Sequence, residues 1–288
     1  LESAATLATR FNPVVGCIRS WDHGRDKWEF PVIIDNMMNL ELLFWAARES
    51  GDSTYRDIAV THALTTMKNH FREDFSSWHV VDYDPLTGEV RKKQTHQGYN
   101  DASAWARGQA WGLYGYTMCY RETGRKEFLE QAGHIADFMF SRSVPEDLVF
   151  WWDYDAPGIP DEPRDVSAAA VAASALYELH TYDSSPEKGY KAKADRILES
   201  LYNSYRAAAG KDFGFLLLHS TGARTFEIDV PLVYADYYFL EALLRKRTIE
   251  EAERMASGQA TGTVLRDGWL FLREDVGSLW ELVRPVQA

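Results

Sequence analysis

The chain is 288 residues long and 45% hydrophobic, enough to bury a substantial core in one large domain or two small ones. Its formal net charge of -12 excludes broad contact with nucleic acid or an anionic membrane surface, both of which need a surplus of Lys and Arg, so an acidic ligand would need a locally basic pocket. Cys17 and Cys119 are the two cysteines and form no CxxC pair, which argues against a disulfide framework or a cysteine zinc site and reads as two buried thiols.

In chain order, Leu1 to Phe11 lack the basic-then-apolar order of a signal peptide and read as the last turns of a helix, which leaves the compartment open between cytoplasm and periplasm. No apolar run reaches membrane-spanning length. Apolar residues at helical spacing from Ile33 to Ser50, a Gly51-Asp52 break and a second periodic run from Tyr55 to Phe71 predict a helical hairpin. The stretch Asp82 to Gly88 predicts a turn between two short strands; it glances at a calcium loop, but Leu86 stands where an oxygen ligand is wanted. The hairpin pattern returns at Ala102 to Thr123 with Phe128 to Phe140, and again at Val166 to Tyr182 with Tyr190 to Tyr205; a further helix is expected over Val230 to Arg247. The first helix of a pair is rich in Trp, Gly, Ala and Tyr nearly all round, as in Trp105, Gly108, Trp111, Gly112 and Gly115, whereas the second is more charged. Alternating buried and half-buried helices predict an all-α toroid of inner and outer layers. Long aromatic links carrying Trp78, His79 and Tyr83, and then Trp151, Trp152 and Tyr154, fall where such a scaffold builds binding sites. Three hairpins and one extra inner helix do not close a six-hairpin ring, which would leave apolar inner faces uncovered, so either the chain is a fragment or the ring is smaller.

There is no GxGxxG, P-loop, HExxH or GxSxG, so neither cofactor nor metal is expected. Asp35 stands among apolar neighbours at the start of an inner helix. It reads either as an N-cap or as a carboxyl whose apolar surround raises its pKa toward general-acid use, with Asn39 on the same face. In the segment His96 to Trp111, Asp101 reads as an N-cap, and Arg107 and Trp111 share a helix face. A guanidinium beside indoles suits a sugar carboxylate; the alternative is that Arg107 pairs with a buried Asp while the tryptophans fill the barrel. His79, with no partner at defined spacing, reads as an ordinary loop histidine.

The stretches 8–13, 17–21, 33–40, 96–111, 164–170 and 229–238 carry a resemblance that covers most of the chain from Arg10 to Arg247. They resemble the unsaturated glucuronyl hydrolases of glycoside hydrolase family 88. The resemblance implies an (α/α)6 barrel over 1–247, here lacking its N-terminal hairpins and a second aspartate upstream of Leu1, followed by a tail, 248–288, without family pattern. It implies Asp35 as the acid/base that hydrates the C4–C5 double bond of a terminal unsaturated glucuronic acid. It also implies Trp21, His79, Gln97, Trp105, Arg107 and Trp111 as substrate contacts, and lyase-generated glycosaminoglycan or gellan oligosaccharides as substrates. Where the family commonly has a His after Ser220-Thr221-Gly222, this chain has Ala223-Arg224, so one sugar contact is expected to be lost. The alternatives are an unsaturated rhamnogalacturonyl hydrolase and a non-catalytic sugar-binding form of the same fold.

Overall fold

The computed structural model describes residues 1–142, 144–208 and 210–257. Helices α1 (Glu2–Ala8), α2 (Leu40–Ser50), α3 (Ser53–Asn69), α4 (Ala106–Thr123), α5 (Lys126–Ser141), α6 (Val166–Tyr182), α7 (Tyr190–Ser204) and α8 (Val233–Ala256) carry the fold. Helices α4 and α6 are buried on all sides over their first fourteen residues, while α5 and α7 bury one face each, which is the inner and outer division expected from composition. The layers form an α/α toroid, with α6 packed between α4, α7 and α8. On α8, Val233, Tyr237, Leu240 and Leu243 stay exposed along one side.

The helix limits correct the sequence reading in three places. The run assigned to a helix from Ile33 begins as a 3-10 segment, Ile34–Asn39, whose N-cap is Ile33; Asp35 caps nothing. Asp101 does not cap α4 either: that helix starts after Trp105, and the Asp101 carboxylate accepts the Thr95 N–H at 2.8 Å. The helix expected over Val230 to Arg247 instead spans Val233–Ala256, its extension carrying the pairs Lys246–Glu250 and Arg247–Glu251 one turn apart. The rest of the expected tail, from 258 onward, lies outside the described residues.

Two small sheets accompany the helices. Strands β1 (Phe11–Asn12) and β2 (Cys17–Ile18) form a short hairpin, and β3 (Phe30–Ile33), β4 (Val80–Tyr83) and β5 (Val90–Gln94) form an antiparallel sheet in the order β3-β4-β5. The expected turn joins β4 to β5, with Asp84 Oδ1 accepting the N–H groups of Leu86 and Thr87. Both cysteines are buried and unpaired. This sheet matters to the site: its register pairs Ile33 with Val80, and Ile34 N–H donates to the His79 carbonyl at 3.1 Å. Asp35, just past the end of β3, is thereby set beside His79, just before β4. The 3-10 segment is in turn held against α4 at Gly115, where a Cβ would press on the Met37 side chain. Only glycine lets α4 approach the backbone carrying Asp35 this closely.

Candidate active site

The inner helices run the same way, and their first turns meet at one place. Arg107 is the second residue of α4, Asp165 is the N-cap of α6, and Tyr234 is the second residue of α8. The Asp165 carboxylate accepts the Ser167 N–H at 3.1 Å, as a cap, and also faces Arg107, whose Nε and Nη2 donate to its two oxygens at 3.0 and 3.3 Å. Both partners are buried. Burial by itself would lower the Arg107 pKa, but Asp165, Tyr234 and Glu227 together hold it above its ordinary value. Its remaining arm, Nη1, donates to the Tyr234 hydroxyl and lies 3.4 Å from Glu227 Oε2. The pairing of Arg107 with a buried aspartate, the alternative weighed from sequence, is thus present, and it leaves Nη1 to Tyr234 and Glu227.

Among the described residues, Asp35 is the carboxyl of the group that pairs with no cation within salt-bridge distance, the neutral His79 being its one neighbour there. Its side chain is 24% exposed, and Oδ2 lies 3.6 Å from His79 Nε2 with no hydrogen-bond partner on either atom. Desolvation pushes its carboxyl up to about 6; its own backbone N–H, Arg107 and the Trp111 indole N–H pull the other way and do not cancel the effect.

His79 is buried and stacks on Trp105, centroids 4.4 Å apart and planes 27° from parallel. Its Nδ1 accepts backbone N–H groups from His96 at 3.2 Å and Gln97 at 3.1 Å. A ring nitrogen that accepts two N–H bonds carries no proton, so these partners assign the neutral tautomer with the proton on Nε2, facing Asp35. Burial, and after it the nearby histidines and Arg107, lowers the His79 pKa to about 3 and keeps the ring neutral. The histidine that read as an ordinary loop residue is therefore fixed in orientation and tautomer by the segment after β5.

Trp105 and Gln97 share an acceptor: the Gly222 carbonyl takes the Trp105 indole N–H at 3.0 Å and the Gln97 amide at 3.2 Å. A Cβ at Gly222 would meet the end of the half-exposed Glu227 side chain and come within 3.1 Å of Arg107 Nη1, so a larger residue there would displace that carboxylate. Trp111 packs against Tyr234 and Tyr238, with centroids 5.9 and 5.6 Å away. Trp21 stands further out, in a group with Trp28 at 5.2 Å and His96 at 5.5 Å, and reaches the site through His96, which is 6.4 Å from His79. Six of the seven expected residues, Asp35, His79, Gln97, Trp105, Arg107 and Trp111, thus share one cluster, with Trp21 one ring removed. The residues of the second aromatic link, Trp151, Trp152 and Tyr154, enter none of these contacts; the two indole N–H groups donate to Pro160 O and Glu162.

Sequence reasoning passed over Asp165, Gly222, Glu227 and Tyr234 as site residues. Asp165 had a signal, since an Asp two residues before a Ser at the head of an apolar run marks a cap. Glu227 had none, because a hairpin residue reaching a partner 120 positions away leaves no periodic trace. Among the described residues, no group of three or more His, Cys, Asp or Glu converges to hold a metal ion, and no helix is long and apolar enough to cross a membrane.

The fold is shared with solved structures of carbohydrate-active α/α toroids. One of these, a crystal structure of an unsaturated glucuronyl hydrolase specific for heparin, has a TM-score of 0.83 and 53% identity over 86% of this chain and 67% of that one. No family model matches the chain. Among curated proteins, an unsaturated glucuronyl hydrolase of Formosa agariphila is 51% identical over 253 residues, which are 86% of this chain and 63% of the relative. An unsaturated chondroitin disaccharide hydrolase of Streptococcus pyogenes is 36% identical over 252 residues, 85% of this chain and 62% of its own length. The chain belongs to the unsaturated glucuronyl hydrolase family, and it spans a little under two thirds of the length of the curated relatives it matches.

Proposed function

We propose that this site is the acid–base centre of a glycosidase that hydrates the C4–C5 double bond of a terminal unsaturated uronic acid and so releases it from an oligosaccharide. The observation that carries the reading is Asp35: one carboxyl, raised to about 6, with a partnerless oxygen facing a neutral histidine N–H. Ordinary glycoside hydrolysis uses two carboxyl groups flanking the bond, one as acid and one as base or nucleophile. Here Asp165 and Glu227 are both engaged by Arg107. Hydration of an enol ether asks less. Protonated Asp35 gives its proton to C4, the cation left at C5 is stabilised by the ring oxygen, and the Asp35 carboxylate then takes a proton from the water that adds to C5. The resulting hemiketal opens, and the glycosidic bond is lost with it. One water is consumed and Asp35 ends as it began, protonated.

His79 Nε2–H is placed to hold the Asp35 carboxylate formed midway, Trp111 lines the site as the aromatic surface for a sugar ring, Trp105 backs His79, and Arg107 Nη1 offers a donor to the sugar's carboxylate. Relatives named for heparin specificity and for chondroitin disaccharides favour glycosaminoglycan fragments as the substrate class.

The test follows the absorbance of the conjugated double bond after adding unsaturated heparin and chondroitin disaccharides. Absorbance should fall with the wild-type chain and stay constant with Asp35→Asn, and the rate should decline as pH rises through about 6, because the acid form of Asp35 is the one that acts. Binding of both disaccharides without any loss of absorbance would favour the non-catalytic alternative.

A further inference from the structure

Arg107 already has one complete partner. Asp165, buried and bidentate, neutralises the guanidinium from below and is fixed there by its second duty as the cap of α6. Glu227 then adds a second carboxylate on the solvent side, 3.4 Å from Nη1, so that Arg107 with its two carboxylate partners sums to a net charge of about -1. An anionic sugar meeting this arrangement is repelled rather than captured. The two carboxylates differ in their freedom to move. Asp165 is completely buried, whereas the Glu227 side chain is 39% exposed and sits on the hairpin between Ser220 and Val230.

That hairpin is tied to the site through the Gly222 carbonyl, which accepts from Trp105 and Gln97, and through the Gly222 N–H, which donates to Glu227 O at 2.8 Å. Glu227 and Asp229 both hold left-handed backbone conformations, with φ of 53° and 55°, which non-glycine residues adopt only under constraint. Arg107 Nη1 is therefore covered by the Tyr234 hydroxyl and, on its exposed side, by a strained, half-exposed segment of the chain itself.

We infer that Glu227 is a resident carboxylate occupying the place of the substrate's own carboxylate at Arg107 Nη1, and that an anionic sugar binds by displacing it. This rests on the reading of the site given above, with Arg107 as the carboxylate donor. Once Glu227 swings away, Arg107 and Asp165 balance, and the first turns of α4, α6 and α8 supply the positive ends of three helix dipoles to the incoming anion. Glu227 in this account touches no reacting atom. It sets how tightly the anionic sugar is held and leaves the proton transfer at Asp35 alone.

The experiment uses saturated D-glucuronate as the probe, so that it does not depend on the enzyme's turning anything over. The wild-type chain and Glu227→Gln are titrated calorimetrically with glucuronate and with its methyl ester, which lacks the charge. Glutamine keeps the size and hydrogen-bonding capacity of the side chain, and the site is half-exposed, so the variant folds; equal melting temperatures would confirm it. The expected result is about tenfold tighter binding of glucuronate by Glu227→Gln, in line with loss of one like charge near the ligand, with binding of the ester unchanged between the two proteins. Equal or weaker glucuronate affinity in the variant, an equal gain for the ester, or no binding of glucuronate to either protein would each overturn the inference. The absorbance assay with unsaturated disaccharides, run on the same two proteins, decides the proposed reaction separately: a chain that hydrates the double bond but gives equal glucuronate affinities keeps its function and loses the Glu227 displacement.

Discussion

Asp35 works against the stability of the molecule that carries it. Its carboxyl titrates at about 6 in the folded chain against 3.8 when solvated, so folding favours the protonated form and disfavours the ionised one. The stabilising effect of the neutral form is complete below 3.8 and is lost as pH rises through about 6; above that, the buried charge costs about 3 kcal/mol, at roughly 1.4 kcal/mol for each tenfold change in proton affinity. Asparagine keeps the shape without the charge. Asp35→Asn is therefore expected to be more stable than wild type by about 2–3 kcal/mol at pH 8 and equal to it at pH 4, measured by urea melts at the two values. An advantage that persisted at pH 4 would show that packing, and not ionisation, separates the two side chains. The same substitution abolishes the proposed proton transfer, so the strain at this position is kept for its chemistry.

At the scale of the elements, the pair Arg107–Asp165 joins the first turn of α4 to the N-cap of α6, and both ends are out of water. Removing one partner of a buried pair leaves an uncompensated charge, typically at a cost of about 3–5 kcal/mol. Asp165→Ala loses the cap as well, worth about 1 kcal/mol more, while Asp165→Asn keeps a good cap and loses only the charge. Both variants should melt well below wild type in thermal unfolding, Ala lower than Asn by that margin; an Asn variant as stable as wild type would show that Glu227 alone suffices for Arg107. The helices in this pairing were legible in the sequence because burial writes a period into composition: α6 begins and ends at Val166 and Tyr182 as the pattern predicts. The position of Asp35 was legible too, since a carboxylate in an apolar run has few harmless roles. The start of α4 was not, because Asp101 to Ser103 has cap-like composition but is drawn into a separate turn, where Ser103 Oγ donates to the buried Asp153 carboxylate at 2.7 Å. The register that brings His79 to Asp35 also escaped, since β3 and β4 are four residues each and pair across roughly 50 positions of chain. Such short strands carry too few residues for a period-two pattern to separate them from loop.

Across the whole molecule, three buried histidines fasten strands and loops to the helical layer. His62 on α3 accepts the Ile18 N–H of β2 at 3.0 Å, His70 at the end of α3 bonds the Val32 carbonyl of β3 at 3.0 Å, and His79 accepts from the segment after β5. Burial is the leading cause that lowers their pKa values, to about 3, 4 and 3 respectively, so all three are neutral in the fold well below the pH at which they protonate in an unfolded chain. A depressed folded pKa gives stability that is whole above about 6.5 and drains away as pH falls toward the folded value. Between pH 7.5 and 5.5 each histidine takes back about 1.4 kcal/mol, roughly 4 kcal/mol for the three. Asp35 runs the other way over the same interval, because its raised pKa favours the folded state as it protonates, and returns about 1 kcal/mol. The chain should therefore lose about 3 kcal/mol of unfolding free energy from pH 7.5 to 5.5, read as a falling urea midpoint with little change in slope. A midpoint that stays level would mean that these rings take up protons without leaving the fold, which the N–H groups donated to His62 Nδ1 and His79 Nδ1 oppose. The acid that protonates Asp35 for its proposed reaction thus also loosens the histidines that hold β2, β3 and the loop around His79 in place. The working range of the site is bounded below by the stability of its scaffold and above by the ionisation of its acid.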